Sequence, residues 1–227
     1  MITIRNLTMK YGGRPVIDGL NLDLEKGQIV GLLGENGSGK TTLLRILTGL
    51  ERNYKGDVKI NGKNPGSFTN KDISYQPDHL PVDPSLKIRK VGKIYQNFFD
   101  DFDEGKFLNL IEGFDIDKDL KIKECSKGMK DKVQIALSLS KKSPVYILDE
   151  PMSGIDPKSR KIILQTIIDN FDYEGLLIIS THLISEIEKV LDRAIFIDNG
   201  KILVNERVDD IREKENMGVE EYFTEAV

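Results

Sequence analysis

The chain has 227 residues, enough for one or two lobes around a substantial core but not for several domains. Its formal net charge of −4 excludes an overall basic footprint for nucleic acid, and its single cysteine excludes an intrachain disulfide framework or a cysteine-rich metal site. A reducing compartment is the natural expectation for such a sequence.

Taken in order, residues 1–33 alternate short β-like runs with turns. Ile2-Thr3-Ile4 and Leu20-Asn21-Leu22-Asp23-Leu24 have period-two patterning, and Glu25-Lys26-Gly27 is a turn. Met1-Ile2-Thr3-Ile4-Arg5 lacks the charged-then-apolar order of a secretory signal. Gln28 to Leu33 is a buried strand running into a glycine-rich loop, and Thr42 to Leu47 is an apolar-faced helix leaving it. Gly56 to Ile60 leads into Asn61-Gly62, a strong hairpin signal, and Asp72 to Tyr75 is a further strand.

Past Pro77, Pro81 and Pro84 the periodicity becomes helical, over Ser85–Phe99, Glu104–Phe114 and Gly128–Ser140. Strand and helix then alternate. Val145–Leu148 is a strand, Asp156-Pro157 caps a helix reaching Phe171, Leu176–Ser180 is a strand, and Leu183–Leu191 a helix. Ala194–Ile197, Asn199-Gly200 and Ile202–Val204 form a terminal hairpin, and the tail from Asp209 is charged, with a short helix near Glu220. Such alternation implies a parallel sheet covered on both faces. The apolar runs, such as Leu176-Leu177-Ile178-Ile179, are too short to span a bilayer. The expectation is a soluble protein that reaches a membrane only through a partner.

The loop between the first buried strand and its helix reads Gly34-Glu35-Asn36-Gly37-Ser38-Gly39-Lys40-Thr41-Thr42, which fits G-x-x-x-x-G-K-[ST], the phosphate-binding loop. Glycines let backbone N–H groups approach oxygen anions without a Cβ in the way. Lys40 supplies a cation to the β- and γ-phosphates, the Thr41 hydroxyl suits magnesium, and the helix N-terminus points at the anion. Val145 to Leu148 ends in Asp149-Glu150. At the carboxyl end of a parallel strand, Asp149 is placed to hold magnesium, and Glu150 to accept a proton from an attacking water.

With these motifs in this order, nearly the whole chain resembles the nucleotide-binding domain of an ATP-binding cassette (ABC) ATPase. The fold class implied is α/β: a P-loop NTPase core with a mixed sheet, an N-terminal antiparallel β subdomain and an inserted helical subdomain. Residues 1–76 and 142–208 would form the core, 77–141 the helical part and 209–227 a short tail. By the same resemblance Tyr11 stacks on adenine, and Gly34, Asn36, Gly37, Ser38, Gly39, Lys40, Thr41 and Thr42 bind the nucleotide. Gln76, in Tyr75-Gln76-Pro77, joins Thr41 and Asp149 at magnesium. Glu150, His182, Lys40 and Gln76 form the catalytic set, and Ser153-Gly154-Ile155-Asp156 matches the D-loop.

The signature segment departs from the family's Leu-Ser-Gly-Gly-Gln: it reads Cys125-Ser126-Lys127-Gly128-Met129. Ser126 and Gly128 remain, and in this family they face the nucleotide of a second cassette. Lys127 adds a cation that either stands beside that phosphate or points to solvent. The surrounding Lys121, Lys123, Lys130 and Lys132 read either as a solvated helical face or as a contribution to nucleotide or partner electrostatics, His79 as a loop residue and Cys125 as structural.

The resemblance implies ATP and magnesium as ligands, ATP hydrolysis coupled to transport, and a homodimer or heterodimer of cassettes. It implies a separate transmembrane permease and a place on the cytoplasmic face of the membrane, with no nucleic acid. The form of the signature is similar to that of bacterial exporters of drugs, peptides, lipids or polysaccharides. The alternative is a soluble non-transport ABC ATPase in an assembly or regulatory complex.

Overall fold

The computed structural model describes residues 1–66 and 69–227, with Asn70 described by its backbone alone. Two sheets carry the chain. β1 (Ile2–Tyr11), β2 (Arg14–Leu24) and β4 (Tyr54–Ile60) form an antiparallel sheet in the order β2-β1-β4. β3 (Gln28–Leu33), β5 (Ile73–Gln76), β6 (Val145–Asp149), β7 (Leu176–Thr181), β8 (Arg193–Asp198) and β9 (Lys201–Arg207) form the second, ordered β5-β6-β7-β3-β8-β9. It is parallel except for β9, which returns antiparallel along β8.

The alternation within the central strands explains how both faces are covered. Val145 and Ile147 of β6, and Leu176 and Ile178 of β7, point into one core. That core also takes Leu43, Leu44, Ile46 and Leu47 of α1 (Lys40–Leu47) and the inner face of the antiparallel sheet. Tyr146, Leu148, Leu177 and Ile179 point the other way, into a core shared with the remaining helices. These strands are apolar on both sides because both sides are buried. Each fully buried Leu or Ile contributes roughly 1.5–3 kcal/mol.

Among the described residues three α-helices lie between β5 and β6, α2 (Ile88–Phe98), α3 (Glu104–Gly113) and α4 (Lys127–Leu139), with a short 3-10 turn at Ile122–Glu124 before the last. Asp103 caps α3, its carboxylate accepting from the Lys106 N–H at 2.8 Å, and Ser126 caps α4. Asp156 caps α5 (Pro157–Asn170), with Pro157 in its first turn as the sequence suggested.

Three elements differ from expectation. Asn61 and Gly62 form a turn, both at positive φ, but among the described residues no strand pairs back with β4 after it, and an Ile60–Lys63 bridge closes it. The helix after β7 is a single turn, α6 (Ile184–Ile187), rather than Leu183–Leu191. Asp192 exchanges backbone and side-chain hydrogen bonds with Ile29 (2.9 and 2.7 Å), which draws the chain off the helix and into β8. The C-terminal segment forms two helices, α7 (Val208–Glu215) and α8 (Val219–Ala226). Val208, Ile211 and Val219 are buried, and the rings of Tyr222 and Phe223 pack on Phe196 at 5.6 and 5.1 Å between centroids.

Candidate active site

In the six-stranded sheet β6, β7 and β3 are successive neighbours, all parallel, so their carboxyl ends meet. Asp149 stands opposite Ser180, and Leu33 opposite Thr181. The three segments that leave these ends are the phosphate-binding loop, the residues after Asp149, and Thr181-His182. Such a convergence is where open α/β sheets bind ligands.

The loop 34–39 folds as its glycines require. A Cβ on Gly34 would lie 2.3 Å from the Ile197 carbonyl oxygen, and Gly39 sits at φ 111° against the Val16 carbonyl. Gly39 also supplies no side-chain cap for α1, so the first amides of the helix remain for an anion. Lys40 is buried under the loop. Its Nζ donates to the carbonyls of Gly34 (2.7 Å) and Glu35 (3.0 Å) and lies 3.5 Å from Glu150 Oε1. The Ser38 hydroxyl is buried without a hydrogen-bond partner, a state a phosphate oxygen would relieve.

Gly39 and Lys40 border a cleft of about 280 Å³ that also takes in Tyr11, Val16, Asn36, Gly37, Thr41, Thr42 and Glu150, while Gly34 and Ser38 lie behind its lining. Tyr11 comes to it from the end of β1, its ring partly exposed and its hydroxyl donating to Glu51 Oε2 at 3.1 Å. Burial, then the Glu51 carboxylate, pushes the phenol above its ordinary range.

Glu150 stands at the left-handed backbone conformation (φ 49°), unusual for a residue with a side chain. Its Oε2 lies 3.0 Å from His182 Nδ1. Asp149 beside it is fully buried, Oδ1 accepting from Ser180 Oγ (2.6 Å) and Thr41 Oγ1 (3.3 Å). Burial pushes its carboxyl up, and the two hydroxyls pull it partly back. Asp149 Oδ2 and Gln76 Oε1 are buried and without hydrogen-bond partners. Gln76 ends β5 next to β6, opposite Leu148.

The orphaned oxygens of Asp149, which Thr41 contacts, and of Gln76 on the neighbouring strand are oxygen donors, which suits a hard cation such as magnesium. Among the described residues no three His, Cys, Asp or Glu side chains cluster into a metal cage. An ionised Asp149 with a bare oxygen costs the folded protein stability when no cation is present. Asp149→Asn is accordingly expected to raise the apo melting temperature by about 2–4 °C, the shift roughly 1 kcal/mol produces in a chain of this size. The order should reverse with ATP and magnesium, which stabilise the wild type far more than the variant. Differential scanning fluorimetry with and without Mg-ATP checks both halves.

Ser126 and Gly128 do not border the cleft. Ser126 Oγ accepts from the Met129 N–H at 3.2 Å, capping α4. Lys127 is exposed, and its side chain lies along the loop after Glu150 in the same chain. A Cβ on Gly154 (φ +72°) would fall 2.5 Å from Lys127 Nζ. Lys132 of the basic cluster stands 5.8 Å above the Phe114 ring, and His79 pairs with neighbouring Asp78 at 2.7 Å on the surface. Cys125 is buried, and burial raises its thiol pKa, as expected of a structural cysteine. Sequence reading missed Ser180, Glu51 and Val16. Only Ser180 left a visible signal, as a hydroxyl ending an otherwise apolar buried strand.

Fold and site together define an α/β P-loop NTPase. A family model described as "ABC transporter" matches residues 17–153, more than half of the chain, and the protein belongs to that family as an ATPase. An uncharacterised ABC transporter ATP-binding protein of Methanocaldococcus jannaschii is 33% identical over 94% of this chain and 80% of its own length. The lantibiotic transport ATP-binding protein SrtF of Streptococcus pyogenes is 33% identical over 92% of both chains. The Nod factor export ATP-binding protein I of Burkholderia orbicola is 29% identical over 88% of this chain and 68% of its own. The fold is shared with the ATP-binding subunit of an ABC transporter (TM-score 0.87, 23% identity, 100% and 99% covered). It is also shared with a dimeric cassette in a post-hydrolysis state bound to ADP and Pi (TM-score 0.80, 21% identity, 91% and 98% covered). No helix among the described residues is long and apolar enough to cross a membrane.

Proposed function

We propose that this chain powers export of a drug, peptide or lipid through a separate transmembrane permease, docked on the cytoplasmic face of the membrane and working as an ATP-dependent pair of cassettes. The observation that carries the catalytic part is the convergence at three neighbouring strand ends of Glu150 with Lys40 and His182 in ion-pair or hydrogen-bond reach, and of Asp149 with the Thr41 and Ser180 hydroxyls. The export part is supported by the relatives named for lantibiotic transport and Nod factor export.

In this reading Tyr11 stacks on the base, while the loop amides, Ser38 and Lys40 hold the phosphates. Lys40 exchanges the Gly34 and Glu35 carbonyls for phosphate oxygens. Thr41, Gln76 and Asp149 would hold magnesium, which when bound neutralises charge on the phosphates. Glu150 takes the proton of the attacking water. His182, oriented by its contact with Glu150, offers its other ring nitrogen to the γ-phosphate. The reaction needs mainly positioning and charge stabilisation, which these groups supply. Ser126, with the amides at the start of α4, and Gly128 close the site of the opposing cassette.

The test is co-expression with a candidate permease having about six apolar segments of roughly 20 residues. Expected are co-purification from membranes, permease-stimulated ATP hydrolysis, and substrate efflux that disappears with Glu150→Gln. An active ATPase that neither binds a permease nor supports efflux would instead indicate the assembly or regulatory role.

A further inference from the structure

We propose that Ser180 is a positioning residue for ATP hydrolysis. Its buried hydroxyl fixes which oxygen of Asp149 is free and, through the backbone, where Glu150 stands. The inference rests on the reading of Asp149 as a magnesium ligand and Glu150 as the base.

β7 is apolar from Leu176 to Ile179 and turns polar only at Ser180 and Thr181, both buried. Ser180 is fully buried and lies directly across the sheet from Asp149. Its Oγ is 2.6 Å from Asp149 Oδ1 and 3.1 Å from the Glu150 nitrogen. A hydroxyl has one proton to give, and a carboxylate only accepts. Ser180 therefore donates to Asp149, and the Glu150 N–H donates to Ser180, both to its hydroxyl and to its carbonyl (3.1 Å).

Each bond has a consequence. With the Ser180 and Thr41 hydroxyls both on Oδ1, that oxygen is taken, and Oδ2 is the one left buried and without a hydrogen bond. The hydroxyl thus aims a specific lone pair of Asp149 at the place a hard cation would occupy. A residue that orients a ligating carboxylate in this way tunes metal affinity without touching the metal. The second bond secures a strained backbone. Glu150 holds a left-handed conformation that a side-chain-bearing residue keeps only when its surroundings determine it. Two Ser180 oxygens on one N–H supply that determination. Replacing Ser180 by alanine removes both the carboxylate's short donor and half of the backbone anchor, with little change in volume.

The test uses the full chain carrying Glu150→Gln, so that ATP persists, with Mn2+ as the probe read by electron paramagnetic resonance. Adding Ser180→Ala should weaken Mn2+ binding to the ATP-loaded protein by about 10-fold, the low end for residues that orient metal ligands. Metal-free ATP affinity should stay within twofold. In the otherwise wild-type chain, Ser180→Ala should lower kcat at saturating metal by about 10-fold, with the ATP KM nearly unchanged. Asp149→Asn is the reference and should abolish Mn2+ binding. If Asp149→Asn loses Mn2+ and Ser180→Ala keeps it within twofold, Ser180 is only a structural bond and the proposal fails while the site reading stands. If Asp149→Asn also keeps Mn2+, the assignment of Asp149 is wrong and the proposal falls with it.

Discussion

Glu150→Gln lowers ATP turnover by about 10²–10³-fold and leaves ATP binding as tight as in the wild type, or tighter. The substitution is nearly isosteric at a side chain that is 16% exposed, so packing around it changes little. The two oxygens do different work. Oε2 meets His182 at 3.0 Å, and Oε1 meets Lys40 at 3.5 Å. An amide cannot take the proton of an attacking water, and loss of a positioned general base typically costs 10²–10⁴-fold. It also removes the carboxylate paired with Lys40 before nucleotide arrives, and the freed ammonium favours a triphosphate. The effect on kcat wins because binding relies on Lys40, the loop amides and Tyr11, none of which changes. Phosphate release under multiple turnover, set beside fluorescent-nucleotide titration, checks the split. If Glu150→Gln turned over ATP at the wild-type rate, Glu150 would not be the base.

How much of this could be read from the residues alone depended on distance along the chain. The phosphate-binding loop, the Asp149-Glu150 strand end and the Asp156-Pro157 cap are each chemistry written in consecutive residues, and the structure places them accordingly. Ser180 is 31 residues from Asp149, and only the register of β6 against β7 joins them. The meeting of Lys127 with Gly154 needs α4 packed beside the loop after β6, which no local pattern encodes. Of the two C-terminal helices, the one near Glu220 was expected and α7 was hidden, for a different reason. Val208 and Ile211 are sparse among charges, so that stretch reads as solvated, yet those two side chains suffice to bury one face. In α6 the periodicity from Leu183 to Leu191 is helical, but the tertiary tie between Asp192 and Ile29 overrides it. Asn61-Gly62 forms its turn because that is a local property, and among the described residues no partner strand follows because pairing is not.

Lys40→Ala lowers ATP affinity by about 100-fold, ~2.8 kcal/mol, with a melting temperature within a few degrees of the wild type. The ammonium is 5% exposed and satisfied in the unliganded chain by two carbonyls of its own loop and the Glu150 carboxylate. That arrangement costs little to exchange. A triphosphate brings charges that match the cation far better than neutral oxygens do. Removing Lys40 leaves the loop glycines and α1 amides to face that charge alone. It also leaves Glu150 without its cation, so like charges meet across the cleft, which further disfavours the nucleotide. The fold is less affected, because the loop conformation is set by the close approach of Gly34 to Ile197 and of Gly39 to Val16 rather than by the amine. Lys40→Arg should fail almost as badly. A planar guanidinium needs more room than the ammonium has under the loop, and a lysine site of this kind is not served by its fork. Calorimetric titration of both variants decides it. An affinity within threefold of the wild type in Lys40→Ala would mean that the backbone amides alone hold the phosphates.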